Sequence, residues 1–493
     1  MIDCIASEVC AATQATLVAG AAEARITSVA IDSRKAGAGA LFVAFPGERV
    51  DGNDYAAAAL AAGAAAVAVT REPTAELVAE AESRGAALLR ICGDTSEAGE
   101  EFMLRLAAWW RAGRDWCVVG VTGSVGKTTT KDMLAAALGT RYKVHSTAGN
   151  YNNLIGVPMT LFEAPQDAQV LVVEMGMNHP HEIDRLAACA RPRVAAITNV
   201  GTSHIGLLGS RENIARAKGE IVAPLADAPA SSVEPEPRLF MTAENDFAAF
   251  IERDFAAPSG VPVTLVGASE RSSVAAADVA LDDEAHPSFA VCVREAVGAL
   301  AAGERFETKL SLTGAQVVPD YLLALAVAAH MGADPARAVA ALAELAPTRM
   351  RTEVVRAACG CRVIDDSYNA SPDSTAAALN ALCGMRVGEG GRRIAVLGEI
   401  GELGAEEARL HELVGAYAAA KPLDMLVIVG TERADHMERA ATLMGFSEDK
   451  IVRVADVEAL IEVLPCVLAS SDLVLVKASR AAQLDRFVKA VRG

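Results

Sequence analysis

Residues 118–129, Val-Val-Gly-Val-Thr-Gly-Ser-Val-Gly-Lys-Thr-Thr, constrain this chain more than any other stretch. A β-branched apolar run breaks into glycines and then into a helix-forming segment, so the pattern predicts a buried strand, a tight loop and a helix in immediate succession. Such a loop can wrap a phosphate, because glycines let backbone N–H groups point inward and the helix N-terminus adds positive potential. Thr122, Gly123, Ser124, Val125, Gly126, Lys127, Thr128 and Thr129 are therefore the candidate nucleotide cradle. Lys127 would reach the terminal phosphates, and Thr128 would offer its hydroxyl to Mg²⁺. Five residues separate Gly120 from Gly126, so the strict G-x-x-x-x-G-K-[ST] spacing is not met and the strand and helix context carries the assignment.

Two further strands should flank this one. Val170 to Val173 runs into Glu174, and Val194 to Thr198 runs into a loop that ends at His204. In an open parallel sheet, ligands gather outside the carboxyl ends of the strands, which places Glu174 beside the phosphate loop as a candidate Mg²⁺ ligand. His204 would reach the same edge, although position alone leaves it as readily a core or surface histidine. Lys218, in Ala-Arg-Ala-Lys-Gly-Glu, reads by itself as a solvated helix lysine.

At 493 residues the chain exceeds one ordinary core, and the length prior favours about three domains. Residues 1–113 carry short strands and helices of a small α/β unit. Residues 114–346 alternate strand and helix around the phosphate loop, as a parallel sheet requires. A second βα series, with strands at Arg362 to Asp366, Ile394 to Leu397, Leu426 to Val429 and Leu473 to Val476, fills 347–493 behind a linker near Pro347. The stretch Ala223 to Arg238, rich in proline, reads as an exposed loop. The expected fold is thus α/β in three domains: a small N-terminal α/β domain, a central P-loop ATPase domain and a C-terminal Rossmann-like domain.

A net charge of −18 excludes a broad nucleic-acid footprint, so phosphate must be met by a small dedicated pocket. No signal-peptide pattern opens the chain, and no window reaches the about 18 apolar residues of a membrane span. We therefore expect a cytoplasmic protein without membrane insertion. The ten cysteines lack paired CxxC spacing, and Cys359 and Cys361 around Gly360 read as a hairpin turn rather than a metal site.

Taken together, Thr122 to Thr128, Glu174, Asn199 to His204 and Ala217-Lys218-Gly219-Glu220-Ile221 resemble the Mur ligase family of ATP-dependent amide ligases. In that family the last lysine is carbamylated. The resemblance therefore implies a carbamylated Lys218 that, with His204, holds a second Mg²⁺ ion. Further matches are Asp32-Ser33-Arg34 with Leu41 to Glu48 and Asp51-Gly52, Gly149 to Pro158, Asp366 to Ser374, Val396 to Gly404 with His411, and Val474 to Arg480. They point to the branch that joins D-alanyl-D-alanine to UDP-N-acetylmuramoyl-tripeptide. The Asp-Asn-Pro-Arg-type motif of the branch that adds diaminopimelate or lysine is not found.

By the same resemblance, Ser33, Arg34, Asn150, Asn152 and Asn153 hold the UDP-muramoyl substrate, Arg351 and Asp366 contact ATP, and Asn369, Ser371 and Ser374 face the dipeptide. Read singly, Ser33-Arg34 could be a turn, the asparagines caps and Arg351 a surface ion-pair partner. The sequence departs from the family at Met350, where glycine is usual, and at Asn53, where histidine is usual. It departs again on the adenine side, which reads Gly314 to Asp320, leaving Asp320 as the candidate adenine contact. The expected enzyme is a monomer. Its rivals are a P-loop switch NTPase that forms no amide and a family ligase with another amino acceptor.

Overall fold

The computed structural model describes residues 1–47 and 50–492; Glu48, from the motif beginning at Leu41, and the terminal Gly493 lie outside the described residues. Among the described residues the large sheets have nine, six and five strands, one for each expected α/β unit. In the nine-stranded sheet, Cys117–Thr122 lies between Val170–Glu174 and Val194–Ile197, all parallel. These strands are apolar throughout, with Val118, Val119, Val121, Leu171 and Val172 fully buried, because helices cover both faces. Beyond Arg238–Thr242 and Val263–Val266 the sheet continues through Val274–Leu281 and turns antiparallel in Pro287–Val293 and Arg305–Lys309.

The helix Val317–His330 packs against the phosphate-loop helix Lys127–Gly139. It is apolar around nearly its whole circumference, with 12 of its 14 residues buried. Its Pro319 sits in the first turn, where a backbone N–H would have no intrahelical partner. Removing a large side chain such as Leu323, which is fully buried, would cost about 2–5 kcal/mol.

The six-stranded sheet runs Glu353–Arg356, Arg362–Asp365, Leu473–Lys477, Arg393–Gly398, Met425–Val429, Ile451–Val454, and only its first strand is antiparallel. That first pair is a hairpin turning at Gly360, so Cys359 and Cys361 flank a turn; burial pushes the Cys361 thiol up to about 12. The five-stranded sheet contains Ala40–Val43, Ala66–Val69 and Ala87–Arg90 in parallel.

The N-terminal unit is not tethered by a loose linker. Helix Ser96–Ala112 packs on Gly156–Glu163 and Glu182–Ala190, two helices of the central sheet. At its end the buried Arg111 guanidinium donates to the carbonyls of Ala190, Arg114 and Trp116 at 2.9–3.1 Å. Burial lowers this guanidinium to about 10, a measure of how dry the junction is.

The expected exposed loop at Ala223 to Arg238 is instead a strap with alternating burial. Ser231, Val233 and Pro235 are buried, and the Pro235 carbonyl accepts from Arg193 Nε at 2.6 Å. Proline content predicted irregular backbone correctly, but composition cannot tell a solvated loop from one laid along a surface. No helix among the described residues is long and apolar enough to cross a membrane.

Candidate active site

The parallel register brings Glu174, Thr122 and Ile197 to one edge of the central sheet. Gly126 has φ +86° and ends the loop, so the helix begins at Lys127 with its free N–H groups facing the loop. A Cβ at Gly126 would lie 2.6 Å from Asp320 Oδ1, which makes any larger residue a clash. The loop is braced from the next strand. Asn199 Oδ1 accepts from Val125 N, and Asn199 Nδ2 donates to Val125 O, both at 3.0 Å.

Lys127 Nζ folds back onto the carbonyls of Gly123 and Ser124, at 2.7 and 3.3 Å. Burial holds it below the ordinary lysine value; Glu174 opposes that shift and Arg351 adds to it. Thr128 Oγ1 donates to Glu174 Oε2 at 2.9 Å, and Asn152 Nδ2 donates to Glu174 Oε1 at 2.7 Å. A hydroxyl and a carboxylate are thus held together beside the loop. These are hard oxygen donors of the kind Mg²⁺ takes alongside phosphate oxygens and water, so the donor set fits that ion. Among the described residues no cluster of three or more His, Cys, Asp or Glu side chains is arranged to hold a metal ion.

Lys218 lies in the last turn of helix Arg211–Gly219 and is 2% exposed. Burial drives its pKa well below the lysine value, and the nearby Lys127 charge pushes the same way. The bland reading of this residue as a solvated helix lysine is therefore wrong for this fold. The sequence pattern of one helix could not reveal it, because burial comes from what packs around the helix.

A cavity of about 800 Å³ opens over this edge. Its walls include Ser124 to Thr129, Glu174, His204, Asp320, Asn150, Asn152 and Asn153 from the central unit. From the C-terminal unit come Arg351, Asp366, Asn369, Ser371 and Ser374. Thr122 at the strand end, Gly123 at the start of the loop and Lys218 lie outside the cavity wall. Ser33 and Arg34 also lie outside the cavity; they form a short 3₁₀ turn, with Arg34 bonded to Asp32 and exposed. Arg351 and Asp366 thus line the same cavity as the phosphate loop.

Several of these side chains also have local structural jobs. Ser371 and Ser374 form a reciprocal cap on helix Pro372–Gly384. Asn153 Oδ1 accepts from Ile155 N and Gly156 N, capping the next helix. Asp366 is gripped by Lys477 Nζ at 2.6 Å and by Thr352 N at 3.2 Å. The Arg351 guanidinium lies 4.3 Å from the centre of the Tyr368 ring, which presents it to the cavity.

Met350 and Thr352, on either side of Arg351, have φ of +62° and +53°, which explains why glycine would suit the Met350 position. Asn53 is buried, donating to Asp51 and Thr70 and accepting from Thr70 N, so it ties two loops of the first unit together. Asp320 is buried, and that burial raises its carboxyl to about 8. At neutral pH it is a neutral acid that can donate as well as accept, unlike the acceptor-only carboxylate that the residue type suggests.

Site residues beyond the sequence candidates are Asn199, Lys477, Tyr368, Asp373 and Glu402. Lys477 had a legible signal, a strand ending in a cation. Asp373 and Glu402 fall inside the matched segments Asp366 to Ser374 and Val396 to Gly404, but nothing in those segments names their partners, Thr202 and His204, which lie in another unit.

Models of the Mur ligase family match three successive segments. The family's catalytic domain matches residues 25–100, the Mur ligase middle domain 121–328, and the glutamate ligase domain 350–480. A UDP-N-acetylmuramoyl-tripeptide–D-alanyl-D-alanine ligase from Mycobacterium bovis is 35% identical, over 96% of this chain and 93% of its own length. Among solved structures, MurF from Acinetobacter baumannii superposes with a TM-score of 0.84 at 28% identity, covering 100% of this chain and 99% of that one. MurF ligase from Thermotoga maritima, solved in complex with ADP, gives 0.74 at 26% identity, covering 94% and 97%. With a family model on each of its three α/β units and a relative matched along nearly its whole length, this chain belongs to the Mur ligase family.

Proposed function

We propose that this chain is the ATP-dependent ligase that joins D-alanyl-D-alanine to UDP-N-acetylmuramoyl-tripeptide, with release of ADP and phosphate, in the synthesis of the peptidoglycan precursor. The observation that carries the reading is the single cavity in which the phosphate loop of one unit faces Arg351, Asp366 and Lys477 of another. A ligase that must activate one substrate and then admit a second needs such a shared chamber. Residues 1–113 are assigned to the UDP-muramoyl substrate, 114–346 to ATP, and 347–493 to ATP and the amino component. The chamber is completed within one chain, which supports a working monomer, and ATP together with a UDP-linked precursor places the reaction in the cytoplasm.

The peptide carboxylate attacks the γ-phosphate of ATP, forming an acyl phosphate and ADP. The dipeptide amine then attacks the acyl carbon, and phosphate leaves. Lys127 turns from the loop carbonyls to the transferring phosphoryl group, while the loop N–H groups hold the other phosphates. Thr128 and Glu174 would hold one Mg²⁺ ion, and His204 with a carbamylated Lys218 a second. When bound, these ions supply charge neutralisation on the phosphates.

Lys218 suits carbamylation because burial favours its uncharged amine. The uncharged amine nitrogen adds to CO₂ and loses a proton, which turns it into an anionic carbamate with oxygen donors. Asp320 presses against the loop from below, and the Arg351 guanidinium, stacked on Tyr368, meets phosphate from above. Closure excludes water that would hydrolyse the acyl phosphate.

Phosphate release measured with UDP-muramoyl tripeptide tests the reading, with D-alanyl-D-alanine, diaminopimelate, lysine or no amine added in turn. Turnover should require D-alanyl-D-alanine. Release that is indifferent to the amine would replace the ligase with a switch NTPase, and preference for another amine would move the chain to a different branch.

A further inference from the structure

The contact between the central and C-terminal units beside the cavity is unusually specific. His204 follows strand Val194–Ile197, and Glu402 follows strand Arg393–Gly398. Each is a non-glycine residue in the left-handed region, at φ +64° and +61°. Strain of this kind costs on the order of 1–3 kcal/mol per residue and persists only where the surroundings enforce it. The two strained residues face each other, with His204 Nδ1 2.5 Å from Glu402 Oε2. The carboxylate oxygen lies within reach of this ring nitrogen but off the line of an aligned hydrogen bond.

The backbones behind these side chains are locked in register. Gly206 N donates to Glu402 O at 2.9 Å. A Cβ at Gly206 would fall 2.4 Å from Gly404 N, so the two loops touch backbone to backbone. On its own side the Glu402 loop is rigid: Ile400 N donates to His411 Nε2 at 3.0 Å, and Gly401 N donates to Ser479 Oγ at 2.6 Å. Next to the pair, Thr202 donates through N and Oγ1 to Asp373 Oδ2 at 2.9 and 2.8 Å. Glu402 is thus carried to His204 on an arm braced within its own unit.

We propose that Glu402 is a positioning residue for His204, delivered by the C-terminal unit on closure, which holds Nδ1 and turns Nε2 toward the nucleotide side of the cavity. A carboxylate that engages one ring nitrogen fixes the orientation and basicity of the other, and removing such a partner weakens metal binding about 10- to 100-fold. Closure of the units and completion of the divalent-cation site are then one event. Nucleotide bound to an open molecule lacks the oriented histidine and stays unreacted. This deepens the proposed function and rests on its reading of His204.

The test uses Mn²⁺ in place of Mg²⁺ with the full chain and a non-hydrolysable ATP analogue, counting bound Mn²⁺ by electron paramagnetic resonance. Glu402→Ala should weaken Mn²⁺ binding about tenfold or more while leaving the melting temperature of the free protein nearly unchanged. Glu402→Gln, which keeps an acceptor oxygen, should recover part of the loss. Gly206→Val, which keeps the Glu402 side chain but pushes its loop away from His204, should weaken Mn²⁺ binding as Glu402→Ala does. If His204→Ala weakens Mn²⁺ binding and Glu402→Ala does not, the positioning role is wrong and the reading of His204 stands. If neither variant changes Mn²⁺ binding, the reading of His204 falls and the inference falls with it.

Discussion

The two walls of the cavity are built in opposite ways. The central wall is local: the strand Cys117–Thr122, the loop and the start of helix Lys127–Gly139 are consecutive, and Lys127 binds carbonyls 3 and 4 residues away. The C-terminal wall is assembled from distance. Asp366 meets Lys477 across 111 residues, Thr202 meets Asp373 across 171, and Thr348 meets Asp132 across 216 at 2.6 Å. The local wall is complete within a dozen residues, whereas the distant wall is built within the C-terminal unit by Asp366 and Lys477 and joined to the central unit through Thr202–Asp373 and Thr348–Asp132. On the proposed reading, one wall binds, and the other decides when binding leads to reaction.

Lys127→Ala breaks the local wall directly. It should lower kcat about a thousandfold or more, because the charge on the transferring group loses its main protein partner; phosphate release under saturating substrates reads this. A merely tenfold loss would mean that the distant wall carries most of the electrostatics.

Asp320→Asn sharpens the comparison through stability, since Asp320 belongs to the local wall and is buried against it. Its folded pKa of about 8 lies above the ordinary aspartate value of 3.8. A raised value means that this group's stabilisation is complete below pH 4 and is lost as pH rises through about 8. The variant should match the parent below pH 4 and exceed it increasingly up to about pH 8, by as much as roughly 6 kcal/mol, in denaturant unfolding of the nucleotide-free protein. Equal pH profiles would show that Asp320 is hydrated.

Asp373→Ala removes both bonds to Thr202 from the distant wall. A kcat reduced about tenfold, with nucleotide affinity kept, is expected, since each hydrogen bond to a charged group contributes about 1.5–3 kcal/mol and closure recovers part by other contacts. Loss of nucleotide affinity instead would merge the two walls into one binding surface.

The smallest effect is expected at the far end of the same seam, where the hairpin tip after Val274–Leu281 pairs Asp283 with Arg386 and Glu284 with Arg362, at 3.1 and 2.7 Å. Asp283→Asn with Glu284→Gln should cost no more than about 1 kcal/mol, because partly exposed ion pairs are screened. A shift in the closed population measured by small-angle scattering would be slight and would vanish at high salt.

Much of the fold was legible from apolar runs and glycine loops. Val118 to Thr129, Val170 to Glu174 and Val194 to His204 read as strand-and-loop units because a buried parallel strand is continuously apolar and a phosphate loop must be glycine-rich. The roles of single polar residues were far less legible. Ser371, Ser374 and Asn153 are helix caps in this structure, and the same residue types would serve equally as substrate contacts. No property of the isolated segment separates these uses, since both depend on a hydroxyl or amide placed at a helix start.

The sequence by itself determined the sheet class, the order of the α/β units and the phosphate loop, because these follow from backbone geometry and side-chain periodicity within a dozen residues. Tertiary structure alone decided that Lys218 is buried with its pKa driven well below the lysine value, that Asp320 is buried with its carboxyl raised to about 8, and that Glu402 meets His204. Each of these depends on desolvation or on a charge brought across the chain, and both are properties of the surroundings that packing creates rather than of the residue itself.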